Sequence, residues 1–275
     1  MIEKRDIKDY LTKKNFLKFL RNFGLTFLLI SPIVIFFLGM MLFQLSIPNA
    51  KDPFVQWCGY DPKTEAVITW ETEELESSIV WYGIDQNNLN QNKTDNTLAV
   101  IHRVVLTDLN PDTIYYYRVG TVNPEFVYRS EVFSFKTAPN NTITEFSFAM
   151  YADSQQFYGI GWHKLICDAI ARHNDLSFVA HAGDLCQNWD YKPDWNQFFS
   201  EASAYMRKYP FAPVMGNHDG YYPEDDPEGT LHYYAQYFPP TSESNGDKQF
   251  YYSFNWSNTL FIAAEISKAV MRIPP

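Results

Sequence analysis

The chain has 275 residues, of which 46% are hydrophobic, and this is enough for one large or two modest domains. Its formal net charge of −10 is unevenly spread, because residues 1–24 carry seven basic side chains against three carboxylates (+4), which leaves −14 for residues 25–275. An acidic body of this size repels phosphate backbones, so nucleic acid is not expected as a partner.

The cysteines do not predict a disulfide framework or a zinc knuckle. There are three of them, Cys58, Cys167 and Cys186, and no two form a CxxC pair. An odd number at these spacings is typical of isolated residues in a hydrophobic core.

An uncharged apolar stretch follows the basic segment at residues 1–24. Residues 25–47 contain no charged side chain and are long enough to span a bilayer as one transmembrane helix, with Pro32 tolerated inside it. A cleaved signal peptide is the alternative, but its apolar region would be shorter, and no small-x-small cleavage site follows. Because the basic flank precedes the helix, we expect the N-terminus in the cytoplasm and the remainder on the extracellular side of the membrane.

Beyond the predicted anchor, residues 52–138 alternate apolar and polar side chains with a period of two. The pattern predicts short strands, separated by clusters rich in Asn, Asp and Gly, over Ala66–Thr72, Ser78–Tyr82, Ile101–Leu106, Thr113–Val119 and Val132–Lys136. Strands of this length and spacing are typical of an all-β antiparallel sandwich. Such a domain serves equally as a spacer, a wall for a substrate or an adhesion module, so it does not indicate a function.

In residues 144–275 the pattern changes, and strands alternate with helices. The predicted order is strand, helix, strand, helix, strand, over Glu145–Ala152, Gly159–His173, Ser177–Ala182, Pro193–Lys208 and Phe211–Met215. Asp153 follows the first strand, Asp184 follows the second, and the third leads into Gly216-Asn217-His218-Asp219. The spacings of 31 residues (153 to 184) and 33 residues (184 to 217) each fit one β-α-β unit.

The three polar endings are expected to lie together. Parallel strands in such units place their carboxyl ends at one edge of the sheet, so Asp153, Asp184 and the segment 217–219 should converge there. Two neighbouring carboxylates raise each other's pKa unless a cation lies between them, and hard oxygen ligands favour Mg, Mn, Fe or Zn ions. Each residue alone also has a structural interpretation, as a helix cap or as part of a turn.

These endings resemble known motifs. Asp153, Ala182-Gly183-Asp184 and Gly216-Asn217-His218-Asp219 resemble the first three motifs of the calcineurin-like metallophosphoesterases. In the β domain, the segment 109–119 resembles the tyrosine-corner strand of a fibronectin type III domain, and Trp70 stands where that family keeps a core tryptophan. A fibronectin-like domain in front of such motifs resembles the purple acid phosphatases, and residues 249–264 resemble the strand pair that follows in those enzymes.

The patterns and the resemblance together predict four segments. They are a cytoplasmic basic segment at 1–24, a transmembrane helix at 25–47, a fibronectin type III-like sandwich at 52–138, and an incomplete α/β metallophosphoesterase domain at 144–275.

For the site, the resemblance implies two metal ions, of Fe, Mn or Zn. Asp184 would bridge the ions, Asp153 would bind the first, and the amide oxygen of Asn217 would bind the second. His218, oriented by Asp219, would contact the phosphate and assist the leaving group. The implied reaction is hydrolysis of a small phosphate monoester by in-line attack of a metal-activated hydroxide.

The sequence departs from the family at several positions. Gln187 stands where the purple enzymes have the tyrosine that binds ferric iron, and Gln155 stands where the wider superfamily has a histidine. The family also uses later histidines and a Gly-His-x-His motif, whereas no histidine follows His232. We therefore expect the second half of the phosphoesterase fold to be missing. His181, on the strand before Asp184, is expected to face the core.

Two functions fit these observations. The first is a membrane-anchored, metal-dependent phosphoesterase that acts outside the cytoplasm. The second is an inactive derivative of such an enzyme, which serves as a binding or adhesion module. The sequence does not predict the substrate, the metal or the oligomeric state.

Overall fold

The computed structural model of the chain describes residues 51–122, 127–140, 144–155, 161–220, 233–238 and 251–264, together with Lys18. The transmembrane helix predicted over 25–47 lies outside these residues. Within the part of the chain that the structure describes, no helix is long and apolar enough to cross a bilayer.

The predicted β domain is present as antiparallel strands with one shared core. Its strands are β1 (Lys51–Gln56), β2 (Ala66–Gly83), β3 (Gln91–Leu106), β4 (Ile114–Val122), β5 (Val127–Arg129) and β6 (Phe133–Lys136). Alternate side chains point inward and build a core that includes Val55, Ile68, Trp70, Val80, Val104, Leu106, Tyr115, Tyr117, Val119 and Phe135. The hydroxyl of Tyr115 accepts the backbone N–H of Asn110 at 2.9 Å, which is the contact that a tyrosine corner makes.

Strand β2 runs without interruption through residues 73–77, where the sequence pattern predicts a break. Its first half pairs with β1 and its second half with β4, while β3 pairs with both halves. Register shifts between Glu71 and Glu76 and between Glu76 and Ser78 bend the strand from one set of partners to the other. The segment contains no Gly or Pro, so nothing in its chemistry ends the strand there.

The α/β part contains the predicted strands and helices, with ends that differ from prediction by at most three residues. Its elements are β7 (Ser147–Tyr151), α1 (Trp162–Arg172), β8 (Leu176–His181), α2 (Lys192–Met206), β9 (Phe211–Pro213), α3 (Tyr233–Tyr237), β10 (Tyr252–Trp256) and β11 (Thr259–Ala263). Strands β7, β8 and β9 are parallel and adjacent in chain order, so α1 and α2 are the crossover helices. Strands β10 and β11 form a separate antiparallel hairpin.

One parallel contact joins the two parts into a continuous sheet. Gln56 in β1 pairs with Phe211 in β9, so the described strands include a sheet ordered β5-β4-β2-β1-β9-β8-β7. The side chain of Gln56 is buried at this junction, where its Nε2 donates to Thr69 Oγ1 at 2.9 Å and to the carbonyl of Tyr237 at 2.7 Å. Strand β9 therefore has a partner on each side, and its carboxyl end leads directly into the Asn217 motif.

Aromatic cores cover both faces of the parallel strands. Neighbouring residues of β8 point to opposite faces, so Val179 packs under helices α1 and α2 while Phe178 packs under the β10–β11 hairpin. Phe178 contacts Phe148, Phe254 and Phe261 with ring centroids 5.0 to 5.4 Å apart. The strands that carry the polar endings are therefore held in a rigid, close-packed layer.

His102 is buried inside the β domain as a neutral imidazole. Its ring stacks on Trp70 with centroids 4.8 Å apart, and its two nitrogens lie 2.8 Å from Thr72 Oγ1 and Ser78 Oγ. Burial lowers the pKa of His102 from 6.5 to about 4. The unfolded chain therefore binds this proton more readily than the folded chain at any pH between these two values.

We expect this histidine to make the protein sensitive to acid. Its contribution to stability is complete above pH 6.5 and is lost as the pH falls towards 4, by about 1 kcal/mol for each pH unit in that window. The His102→Gln variant should have a flatter pH profile of the free energy of unfolding, measured with urea. His173→Gln is the control, since that side chain is 65% exposed. Parallel profiles for parent and His102→Gln would contradict this account.

Candidate metal-binding and catalytic site

The structure brings the three polar endings together at the carboxyl edge of β7, β8 and β9. The backbone N–H of Asp153 donates to the carbonyl of Gly183 at 3.0 Å, and that of Gln155 donates to the carbonyl of Asp184 at 3.2 Å. The carboxylate of Asp184 in turn accepts the backbone N–H of His218 at 2.9 Å. The loop after β8 is thus hydrogen-bonded to the loops on both sides of it.

The backbone at these endings adopts left-handed conformations that non-glycine residues avoid. Asp153 has φ 54° and Asp184 has φ 59°, directly after Gly183 at φ 100°. Aspartate tolerates this region better than most non-glycine residues, and Asp108 and Asp112 adopt it in loops of the β domain. Gly216 is required for a different reason, since a Cβ atom there would lie 2.2 Å from Asp184 Oδ1. The close contact between Gly216 and Asp184 keeps the loops after β8 and β9 together.

Ser154 and His181 form a buried clamp beneath the two aspartates. The backbone N–H of Gly183 donates to His181 Nδ1 at 3.3 Å, so the ring hydrogen lies on Nε2, which is 2.8 Å from Ser154 Oγ. The serine hydroxyl then donates to the carbonyl of Leu185 at 2.9 Å. Burial lowers the pKa of His181 to about 3, in keeping with a neutral ring. The prediction that His181 faces the core is confirmed, whereas sequence reasoning did not find Ser154.

Asp219 does not have the predicted role of orienting His218. Its carboxylate is fully buried and accepts backbone N–H groups from Leu185 at 2.7 Å, Cys186 at 3.1 Å and Gly216 at 2.9 Å. Burial raises the pKa of Asp219 to about 7, while these N–H groups act in the opposite direction. The residue therefore ties the loop after β8 to the loop after β9.

His218 is oriented by a backbone carbonyl. Its Nδ1 lies 2.9 Å from the carbonyl oxygen of Gln187, which can only accept, so Nδ1 carries a hydrogen. The neutral ring then has its lone pair on Nε2, and the protonated ring has a second N–H there. His218 can thus act as a base or an acid through Nε2.

A buried polar network lies behind the site, between β7 and the crossover helices. His163 Nδ1 is 2.8 Å from Glu201 Oε2, and its Nε2 is 3.2 Å from the hydroxyl of Tyr151, which contacts the hydroxyl of Tyr205 at 2.6 Å. Burial lowers the pKa of His163, against the influence of Glu201. A cavity of about 170 Å³ borders this network, and its lining includes Ser154 and Gln187 as well as His163 and Glu201. Both ring nitrogens of His163 have partners, so this residue is not an open ligand.

The donor atoms at the site are oxygens. The side chains of Asp153 and Asn217 are exposed, and Asp184 Oδ2 accepts only a long bond of 3.4 Å from Gln155 Nε2. In the described part of the chain no group of three or more His, Cys, Asp or Glu side chains is arranged to hold an ion. The side-chain oxygens of Gln155 and Gln187, however, are buried without a hydrogen-bond partner. Two carboxylates with such amide oxygens fit a hard cation as part of its ligand set.

Family models match both parts of the chain. The purple acid phosphatase N-terminal domain matches residues 53–137, and the calcineurin-like phosphoesterase domain matches residues 150–273. The chain therefore contains one segment similar to each of these two domains. The curated relatives that match this chain in sequence are purple acid phosphatases.

The relatives and the solved structures agree on this fold. Purple acid phosphatase 21 of Arabidopsis thaliana is 28% identical to this chain, and the match covers 68% of this chain and 43% of that relative. Purple acid phosphatase 22 of the same organism is 30% identical, and the match covers 56% of this chain and 33% of that relative. Purple acid phosphatase PPD1 from yellow lupin (Lupinus luteus) seeds superposes with a TM-score of 0.64 at 18% identity, covering 80% of this chain and 46% of that structure. The structure of PhoD superposes with a TM-score of 0.59 at 16% sequence identity, and the match covers 78% of this chain and 50% of PhoD. The chain spans less than half the length of these two curated relatives.

The serine of the clamp offers a test of how the site is held. Ser154→Ala leaves the Nε2–H of His181 and the carbonyl of Leu185 without their buried partner. We expect the free energy of unfolding to fall by about 1–3 kcal/mol, as measured with urea. Ser200→Ala, on the exposed side of α2, is the matched control and should change it by less than about 0.5 kcal/mol. Equal stability of the two variants would contradict the clamp.

Proposed function

We propose that the protein is a metal-dependent phosphoesterase that hydrolyses small phosphate monoesters. The observation that carries the proposal is the meeting of Asp153 and Asp184, both in left-handed conformations, with the Asn217-His218 motif at one sheet edge. The match of residues 150–273 to the calcineurin-like phosphoesterase domain supports a phosphorylated substrate.

Two ions, of Fe, Mn or Zn, would be held by oxygen ligands in this proposal. Asp184 would bridge them, Asp153 would bind the first, and the Asn217 amide oxygen would bind the second. When bound, the ions supply positive charge that neutralises the entering and leaving oxygens of the phosphoryl group. The exposed side chains of Asp153 and Asn217 leave room for such ligands.

His218 would serve the leaving group. With Nδ1 donating to the Gln187 carbonyl, the Nε2–H of the protonated ring is the group that can give a proton to the departing oxygen. Asp219 contributes indirectly, because it holds the backbone that carries His218. In this proposal His218 is the catalytic residue. Its ring is oriented by the backbone carbonyl of Gln187, whereas Asp219 was predicted to orient it.

The proposal is tested by hydrolysis of an aryl phosphate by the full chain with added Mn²⁺, Fe or Zn²⁺. We expect Asp184→Ala to abolish turnover and His218→Ala to lower kcat by about 10²–10⁴-fold. A chelator should remove activity, and readdition of metal should restore it. Asp175→Asn, an exposed carboxylate away from the site, should leave the rate unchanged. Activity that survives Asp184→Ala would refute the assignment.

A second candidate is an inactive derivative that acts as a binding or adhesion module. It is favoured by the donor set, since the described site offers two carboxylates while His163 and His181 are held by other partners. Tight binding of two ions per chain together with turnover would exclude this candidate. A stably folded chain without turnover under any of the metals would favour it.

For the location we propose a single-pass membrane protein, with residues 25–47 as the anchor, the N-terminus in the cytoplasm and the catalytic domain on the extracellular side. The support is the uncharged apolar stretch and the basic flank before it. We expect full-length protein to resist carbonate extraction from membranes. Leu29→Arg combined with Phe36→Arg should release it, because each charge costs about 2.5–3.5 kcal/mol at the centre of a helix. Leu29→Ile is the control, and extraction of the parent would contradict the anchor.

A further inference from the structure

Three Asn-x-Ser/Thr triplets lie outside the candidate site, and they begin at Asn92, Asn140 and Asn255. Such a triplet is the acceptor for N-linked glycosylation in an exported chain, although triplets of this kind also arise by chance. The sequence alone therefore does not select among the three. Their surroundings in the fold differ, and these differences favour Asn92.

Asn92 lies in an exposed stretch of the β domain. Every residue from Gln91 to Leu98 is exposed. On β2, Asn92 pairs with Trp81, the residue after Val80, which faces the core. Because successive residues of a strand alternate between faces and paired residues share a face, Asn92 and Thr94 project from the outer face of the sheet. The first and third residues of this triplet are therefore both accessible from solvent.

The strand that carries Asn92 is also an edge of the sheet. Among the described strands, β3 pairs with β2 alone, and β4 occupies the other side of β2 over residues 79–83. The second side of an edge strand offers backbone N–H and C=O groups to strands of other molecules. A bulky, hydrophilic group attached to this strand would oppose such pairing.

The triplet at Asn255 is held inside the fold. Asn255 itself is exposed on β10, but Trp256 and Ser257 are each only 2% exposed. The hydroxyl of Ser257 accepts the backbone N–H of Thr144 at 3.0 Å. Glycosylation requires the hydroxyl of the third residue as well as the asparagine amide, so this triplet is accessible only before the chain folds. The triplet at Asn140 extends into residues that the structure does not describe.

We propose that Asn92 carries an N-linked glycan, which covers the free edge of the β domain. The oligosaccharide comes from a lipid-linked diphosphate donor. A bond forms between Asn92 Nδ2 and C1 of the first sugar, and the bond from C1 to the diphosphate oxygen breaks. The diphosphate leaves with the electron pair of that bond, and the amide proton passes to a base of the transferase. The modification does not require phosphoesterase activity, but it requires the proposed extracellular location of the β domain.

The experiment uses the full chain from membranes of cells that glycosylate exported proteins, before and after treatment with peptide N-glycosidase. We expect the treatment to convert Asn92 to aspartate, which peptide mass spectrometry locates, and to increase the mobility of the chain on a denaturing gel. Thr94→Ala should abolish modification of Asn92, whereas Thr94→Ser keeps the acceptor hydroxyl and should retain it. Thr97→Ala, at another exposed threonine of β3, is the matched control and should leave the modification unchanged.

An unmodified Asn92 in the parent chain overturns the proposal. Leu260→Thr shows whether the proposed location fails as well, because it creates a further acceptor triplet at exposed Asn258, after β10. Modification of Asn258 beside a bare Asn92 overturns the glycan at Asn92 and leaves the extracellular location intact. Absence of modification at both positions overturns the glycan and contradicts that location. Each result is independent of whether the chain hydrolyses phosphate esters.

Discussion

The carboxylate of Asp219 is the contact on which the candidate site depends. It is fully buried, and its two oxygens accept backbone N–H groups from the loop after β8 and from the loop after β9. A carboxyl group that accepts three backbone N–H groups is a strong crosslink, because hydrogen bonds are stronger in a buried, low-dielectric environment than in water. Asp184 and His218 take their positions from the two loops that this crosslink joins. Asp219 thus positions both loops through their backbone N–H groups.

The β domain is connected to the same loops through α2 and β9. Lys192, at the start of α2, lies 2.5 Å from Glu71 in β2, and the hydroxyl of Tyr237 donates to the same carboxylate at 2.5 Å. The loop that carries Asp184 ends where α2 begins, while β9, which ends in the Asn217 motif, pairs with β1. Both loops of the site therefore begin or end on elements that the β domain contacts. This domain is a support for the site and more than a spacer.

Much of this fold follows from sequence patterns, because its strands and crossover helices have clear periods. The convergence of the loops that carry Asp153, Asp184 and Asn217 follows from the spacing of two β-α-β units. The spacing does not predict the contacts that hold these loops. Any of several backbone carbonyls could have oriented His218, and the position of Asp219 in the motif favours Asp219 instead. Strand β3 begins at Gln91, inside a segment predicted as a loop, because pairing with β2 outweighs its polar composition.

Aromatic residues make up 17% of the chain, and many of them pack on the strands that lead to the site. Asp153 and Asp184 closely follow the ends of β7 and β8, so their positions depend on how these two strands are held. Aromatic rings pack on both faces of these strands, with Phe148 stacked on Phe178 on one face and His181 edge-on to Phe198 on the other. Close packing on both faces of the parallel strands therefore holds the backbone from which the two carboxylates project at one edge of the sheet.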